Sequence, residues 1–353
     1  MYIYVIGTVI SMLCAKYAMN AKQYPALKES YRIWAIWSFL PLFLISAFRY
    51  KVGTDYEPIY EEYFYAINSG EAEFSEIGFN LINKITYWIA KDPALMFAVV
   101  SFFTIMFMYL AFYQQSVNVS YSIAFFVLST AYFNSMNQIR QTLAMSIFLY
   151  AMKYIYSRKP VKYFLWILLA FSMHTSAILY VPIYFIYNLR VNIKVHVMIL
   201  AAVIVSTPIM QKLVLIVIRM TPYAWYLESV YSENGFSLIQ FLFCGVILVL
   251  LYFCYLNSTE LEDKEMNLML YMYLFAMVFV TYSAAIPQSN RLVISMTVIT
   301  PLIVPRALLR IKERGRRIGM LCIFLGVFAL RILHDVYLQG WYDVLPYQTI
   351  LSK

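Results

Sequence analysis

Charge is scarce in this chain of 353 residues: Asp, Glu, Lys and Arg make up 13% of it, against about 25% in soluble domains. Hydrophobic residues make up 63%. That balance excludes a soluble globular fold and implies a polytopic membrane protein. Catalytic hallmarks are missing too. There is no Walker loop, no GxSxG, no His-x-x-x-His pair and no metal-binding cluster of carboxylates. Those absences argue against an ATPase, a serine hydrolase and a zinc protease. Cys14, Cys244, Cys254 and Cys322 lie in apolar runs without CxxC spacing. They read as small hydrophobes, not as disulfide partners or zinc ligands. The first 19 residues have no basic leader and no small-residue cleavage site, so they read as a first span. A net charge of +9 suits nucleic acid, but the cations sit in short loops between apolar runs, as membrane topology requires. No nucleic-acid partner is expected.

A span needs about 20 apolar residues to cross about 30 Å of hydrocarbon. The runs of that kind are Tyr2–Met19, Ile33–Phe48, Ala94–Tyr113, Val119–Phe133, Ile139–Tyr156, Val195–Ile218, Ser237–Leu256, Leu268–Ile286, Leu292–Leu309 and Ile318–Leu338. The expectation is an all-α bundle of about ten full spans, forming one transmembrane domain over residues 1–353. Short loops rich in Lys and Arg belong inside. RIKERGRR at 310–317, SRKPVK at 157–162 and the segment 16–32 are therefore inside, and the loop 49–93 is outside. Cations flank Val161–Tyr187 on both sides. A single crossing there would place RIKERGRR outside. The run is too short for two full spans but long enough for two half-length helices. It is therefore expected to dip in and return, turning near FSMHTSA, with His174 at the tip. One long tilted span is the alternative.

The outside loop is where polar chemistry gathers. RYKVGTDYEPIYEEYFY, residues 49–65, holds two cations, four carboxylates and five tyrosines, punctuated by Gly53 and Pro58. Ser75 and Glu76 can cap a helix over residues 77–90 that lies on the outer interface, stopped by Lys91-Asp92-Pro93. Arg49 ends a span, either to bind an anion or to snorkel. Asp55 follows a shaped Gly-Thr turn and reads as a proton-accepting carboxylate. In FNSMNQIRQTLA, the spacing of Asn137, Arg140 and Gln141 puts them on one helix face rich in donors, suited to phosphate or sugar oxygens. His174 reads as a proton acceptor or a phosphate donor, or as an interhelical hydrogen-bonder. Arg291 follows the polar loop 286–290 at an outer mouth, again an outside Arg needing a reason. Arg331, His334 and Asp335 read as a local ion pair, and His196 as structural. Trp341, Tyr342 and Tyr347 suit an aromatic belt, as do Tyr223, Trp225 and Tyr226. Together the outside arginines, a carboxylate and a histidine point to an anionic lipid-linked substrate.

Five blocks carry a family resemblance: FRYKVGTDYEPIY, SEIGFNLINK, FNSMNQIRQTLAMSIFLYA, MHTSAILYVPIY and a late Pro346-Tyr347. In this order they resemble the EpsG/Wzy-like family of bacterial polysaccharide (O-antigen or exopolysaccharide) polymerases. The likeness is firmest over residues 40–190 and covers most of the chain. Met173 stands where an aromatic is commoner, and the second half diverges, so Arg291 and Tyr347 transfer less securely. The resemblance implies a GT-C-like glycosyltransferase in the inner membrane, acting on the periplasmic face. It would move a growing glycan from undecaprenyl diphosphate onto a lipid-linked repeat unit, among membrane lipids, with a chain-length regulator protein as a candidate partner. It puts function on Arg49, Gly53, Asp55, Tyr56, Asn137, Arg140, Gln141 and His174. Asp55, His174 and Arg140 would be catalytic. Arg49, Tyr56, Asn137, Gln141, Arg291 and Tyr347 would bind substrate. No cofactor or metal is implied, since arginines can face the diphosphate. A flippase or transporter of the same lipid-linked glycan is the alternative, and a membrane acyltransferase a third.

Overall fold

The computed structural model describes residues 1–220, 236–257, 263–284 and 288–352 together with Ala224 and Ile286. Tyr223, Trp225 and Tyr226 lie outside the described residues. The described chain is helical, and its one extended pairing is an isolated bridge between Arg49 and Thr349.

In chain order the helices are α1 (Tyr2–Lys22), α2 (Lys28–Ala47), α3 (Glu62–Ser69), α4 (Ile77–Ala90), α5 (Pro93–Gln115), α6 (Val119–Leu128), α7 (Ala131–Asn134), α8 (Ile139–Tyr156), α9 (Pro160–Met173), α10 (Ile183–Ile186), α11 (Ile193–Arg219), α12 (Leu238–Leu256), α13 (Lys264–Thr281), α14 (Ser289–Thr297), α15 (Thr300–Leu309) and α16 (Arg314–Ile332). Two π-helical turns, Tyr56–Glu61 and Leu333–Leu338, and a 3₁₀ segment, Thr175–Tyr180, complete the parts used below.

Among the described residues, 6 helices are long and apolar enough to cross a membrane, with a seventh if α14 and α15 count as one broken span. This is a multi-pass membrane protein, with fewer long spans than the apolar runs suggest. The difference has local causes. The run Val119–Phe133 breaks at Ser129 and at Thr130, whose φ of 63° is left-handed, so α6 stops after 10 residues. α8 and α13 are 18 residues each but fall short of the mean hydropathy of the six.

The expected turn at FSMHTSA is present. α9 ends at Met173, and His174 takes an extended conformation. The chain then comes back along α9: the Tyr163 hydroxyl donates to the Tyr180 carbonyl at 2.6 Å, and Phe164 meets Tyr184 at 5.5 Å between rings. α4 covers the expected residues and stops as its signals require, but no side-chain cap bond opens it. Lys91 ends it in the left-handed region, and Asp92 then caps α5 by accepting from the Ala94 amide at 2.8 Å. Its apolar stripe Ile77, Leu81, Ile85, Trp88 and Ile89 is exposed, while Asn80, Asn83 and Thr86 face inward. That arrangement is the inverse of a soluble amphipathic helix and suits an apolar surrounding.

The described residues pack as two compact units. The first is Met1–Tyr184 with Thr300–Arg306 and Phe328–Lys353; the second is Phe185–Ile299 with Ala307–Val327. Lipid supplies no hydrophobic drive between helices, so close contacts and polar links hold them. In the first unit, α1 meets α2 at Gly7, where a Cβ would lie 2.5 Å from Ile45 Cδ1. Ser46 of α2 donates to Ser101 of α5 at 2.9 Å, Tyr132 to the Leu42 carbonyl at 2.7 Å, and Ser122 to the Pro301 carbonyl at 2.6 Å. In the second unit, Asp263 pairs with Arg310 at 2.8 Å, Gln240 donates to Asn290 at 2.6 Å, and His196 bonds the Tyr252 hydroxyl.

Candidate functional site

The site is built from the first unit, where three distant segments meet at Asn137. Its Oδ1 accepts from the Thr54 amide at 2.6 Å and from the Thr54 hydroxyl at 2.7 Å. Its Nδ2 donates to the carbonyls of Phe133 and Tyr342, both at 3.1 Å. One side chain thereby fastens the VGTD turn to the turn before α8 and to the carboxyl tail. Gly53 makes this approach feasible. Its φ is 115°, and a Cβ there would lie 2.7 Å from the Met136 carbonyl oxygen. The Gly53 amide donates to the Asp343 carbonyl at 2.9 Å. Asp55 follows, half-buried, and its carbonyl accepts from the Tyr60 amide at 3.1 Å, opening the π-helical turn. Such turns recur at functional sites.

Arg49 lies under the tail and is only 1% exposed. Its Nη1 donates to the Ser46 carbonyl at 2.5 Å and to Ser101 Oγ at 3.1 Å. The guanidinium sits over Phe97 at 4.9 Å. Burial pulls its pKa down to about 10, opposed by the phenols of Tyr56, Tyr132, Tyr4 and Tyr347, so it remains a cation at neutral pH. The tail closes over it. Tyr347 donates to the Ile45 carbonyl at 2.9 Å, and the Tyr50 and Ile350 amides donate to the Gln348 and Phe48 carbonyls, joining the two segments. Tyr342 and Tyr347 thus turn inward rather than into an aromatic belt; Trp341 stays 44% exposed.

Aromatic rings lead from Arg49 to Arg140. Tyr56 stacks on Phe97 at 4.2 Å, Tyr60 reaches Phe97 at 6.4 Å and Phe79 at 6.1 Å, and Phe74 meets Phe79 at 5.5 Å. Arg140 lies over the Phe74 ring at 3.9 Å. Its Nη1 donates to Glu76 Oε2 at 2.7 Å, and its Nε has no partner among the described residues. Glu76, 4% exposed, also accepts from the Thr175 amide at 3.3 Å through Oε1. Burial works to raise the Glu76 carboxyl. Arg140, His174, the Thr175 amide and Ser75 outweigh it and hold it below the usual carboxylate range. His174 Nδ1 lies 2.7 Å from Ser176 Oγ. Gly78 brings α4 to the end of α9, since a Cβ there would lie 2.6 Å from both Met173 Cε and Ser172 Oγ.

The structure therefore joins Arg49, Tyr56, Asn137, Arg140, His174 and Tyr347 through direct contacts and shared neighbours, with Asp55 on the fastened turn. It does so differently from the helical-face reading. Asn137 precedes α8 and turns toward Thr54, Arg140 turns toward Glu76, and Gln141 is 2% exposed within α8. Arg291 belongs to the second unit, on the first turn of α14. Glu76 was read from the sequence only as a cap residue; its side chain makes no cap bond. Its partner lies 64 residues away. The remaining signal was a carboxylate between aromatics in EFSEIGF. Among the described residues, no group of three or more His, Cys, Asp and Glu is placed to hold a metal.

A model of the EpsG family matches residues 32–349. No curated protein and no solved structure matches the chain.

Proposed function

This chain belongs to the EpsG family of Wzy-like polysaccharide polymerases, and from that premise we propose that it is a GT-C-like glycosyltransferase. It transfers a growing glycan from undecaprenyl diphosphate onto a lipid-linked repeat unit at the periplasmic face of a bacterial inner membrane. The observation that carries this reading is the Arg140–Glu76–His174 cluster. Arg140 is fixed by Glu76 on one side and Phe74 beneath, so its remaining donors are aimed before substrate arrives. As the anomeric C–O bond to the diphosphate breaks, Arg140 and the His174 turn face the charge that develops on the leaving oxygens. Asp55 presents its carboxylate to the acceptor sugar from the turn that Asn137 holds. Arg49, closed beneath the tail, acts by holding the Tyr347 and Phe97 layer.

Purified protein given lipid-linked repeat units in detergent is expected to make a ladder of longer glycans without nucleotide sugar. Arg140→Ala is expected to abolish the ladder while leaving expression intact. Wild-type chain lengths from that variant would remove Arg140 from the site. Transport of the lipid-linked glycan is the second reading, favoured by the interruption at residues 298–299 between α14 and α15, because transporters use discontinuous helices. Movement of substrate across vesicles without elongation would select it.

A further inference from the structure

We propose that His334, oriented by Asp335, takes the proton from the acceptor hydroxyl in the transfer reaction. The proposal rests on the polymerase reading and assigns its proton acceptor. His334 Nδ1 lies 2.8 Å from Asp335 Oδ1. Asp335 is wholly buried, at 0% exposure, and its other oxygen is paired with Arg331 Nε. An ionised carboxylate only accepts hydrogen bonds, so Nδ1 carries the proton and Nε2 carries the lone pair. Among the described residues the ring's hydrogen bond is the one at Nδ1, and the side chain keeps 18% of its surface exposed. The edge of Trp341, at 5.3 Å and 86°, fixes the ring. A carboxylate behind Nδ1 and an open Nε2 are the parts of a general base.

Its place in the chain ties it to the acceptor side. The Trp341 amide donates to the Asp335 carbonyl at 3.0 Å. The next two residues, Tyr342 and Asp343, accept from Asn137 Nδ2 and the Gly53 amide, the contacts that hold the VGTD turn. The pair sits on the second π-helical turn, Leu333–Leu338. Asp55 stands two residues beyond Gly53, so it orients the acceptor while His334 deprotonates it. The step balances. The acceptor oxygen gives its proton to Nε2 and bonds to the anomeric carbon. The bond from that carbon to the diphosphate oxygen breaks, and the electron pair leaves with the diphosphate. The imidazolium then returns its proton to water.

The rival account is that Arg331, His334 and Asp335 only anchor the tail. His334→Gln separates the two, measured on full-length protein with lipid-linked repeat units. The base role lowers kcat for elongation by about 100-fold or more, leaves donor KM within about twofold, and flattens the acid limb of the pH–rate profile. His334→Ala should regain elongation when imidazole is added. A kcat within about threefold of wild type overturns the proposal. So does a large loss that imidazole does not restore and that comes with a lower melting temperature. A wild type that makes no ladder defeats the polymerase reading and this assignment together; an active wild type with an unchanged His334→Gln defeats the assignment alone.

Discussion

Removing the Glu76 carboxylate leaves Arg140 in place with nothing to balance it. Breaking one partner of a buried pair costs about 3–5 kcal/mol. Two features of the site set the value within that range. Arg140 keeps 17% of its side-chain surface exposed, against 3% for Glu76. Its stacking on Phe74 survives the change, and such contacts contribute about 0.5–2 kcal/mol. Glu76→Ala is therefore expected to destabilise the fold by about 3 kcal/mol, at the lower end. Reversible unfolding in mixed micelles measures it, and Arg140→Met in the same background isolates the pair. The double variant should recover part of the loss, with a coupling of about 1.5–3 kcal/mol. The pH dependence has a definite sign. The Glu76 carboxyl is held below its ordinary value in the fold. Its contribution is fully present above the unfolded-state pKa of about 4.3 and is lost as pH falls through the lower folded value. The gap between wild type and Glu76→Ala should thus be flat through neutral pH and close in acid. Additive effects of the two substitutions, within about 0.5 kcal/mol, would refute the pairing.

Further outcomes follow from the same contacts. Gly53→Ala forces a side chain into a left-handed backbone and toward the Met136 carbonyl; elongation should fall at least about tenfold, with a stability loss of about 1–3 kcal/mol. Asn137→Ala removes the bonds to Thr54 and Tyr342 and should cost about 2–4 kcal/mol by the same unfolding measurement, while Asn137→Asp, which keeps an acceptor for Thr54 but turns a buried carboxylate oxygen onto the Phe133 and Tyr342 carbonyls, should cost at least as much. Cysteines placed singly at 55 and 314 test the orientation: the first should react with an impermeant reagent only from outside, the second only from the cytoplasm.

The local parts of the fold were legible because local signals set them. Lys91-Asp92-Pro93 stops α4 where left-handed Lys91 and the Asp92 cap require it, and the turn at His174 follows from a run too short to cross twice. The interruption at Ser129-Thr130 was not legible, since Val119–Phe133 is apolar throughout apart from small hydroxyls. The site was half legible. Arg140, Asn137 and the VGTD turn announce themselves as polar groups in apolar surroundings. What they bond to is set by packing between segments far apart in sequence. Glu76 meets Arg140 across 64 residues, and Tyr347 meets Ile45 across 302. No periodicity encodes such pairs. Arg49 shows the consequence: as a residue at a span end it suggested an anion site, but the tail that buries it lies at the other end of the chain.

We propose that this protein joins repeat units by displacing a lipid diphosphate. The direct measurement is to count released undecaprenyl diphosphate against glycosidic bonds formed, using purified protein and lipid-linked repeat units alone. One lipid diphosphate should be freed for each bond formed, at wild-type rates only when Arg140 and Glu76 are both present. Glycan growth without lipid diphosphate release, or substrate consumed with no new glycosidic bond, would contradict it.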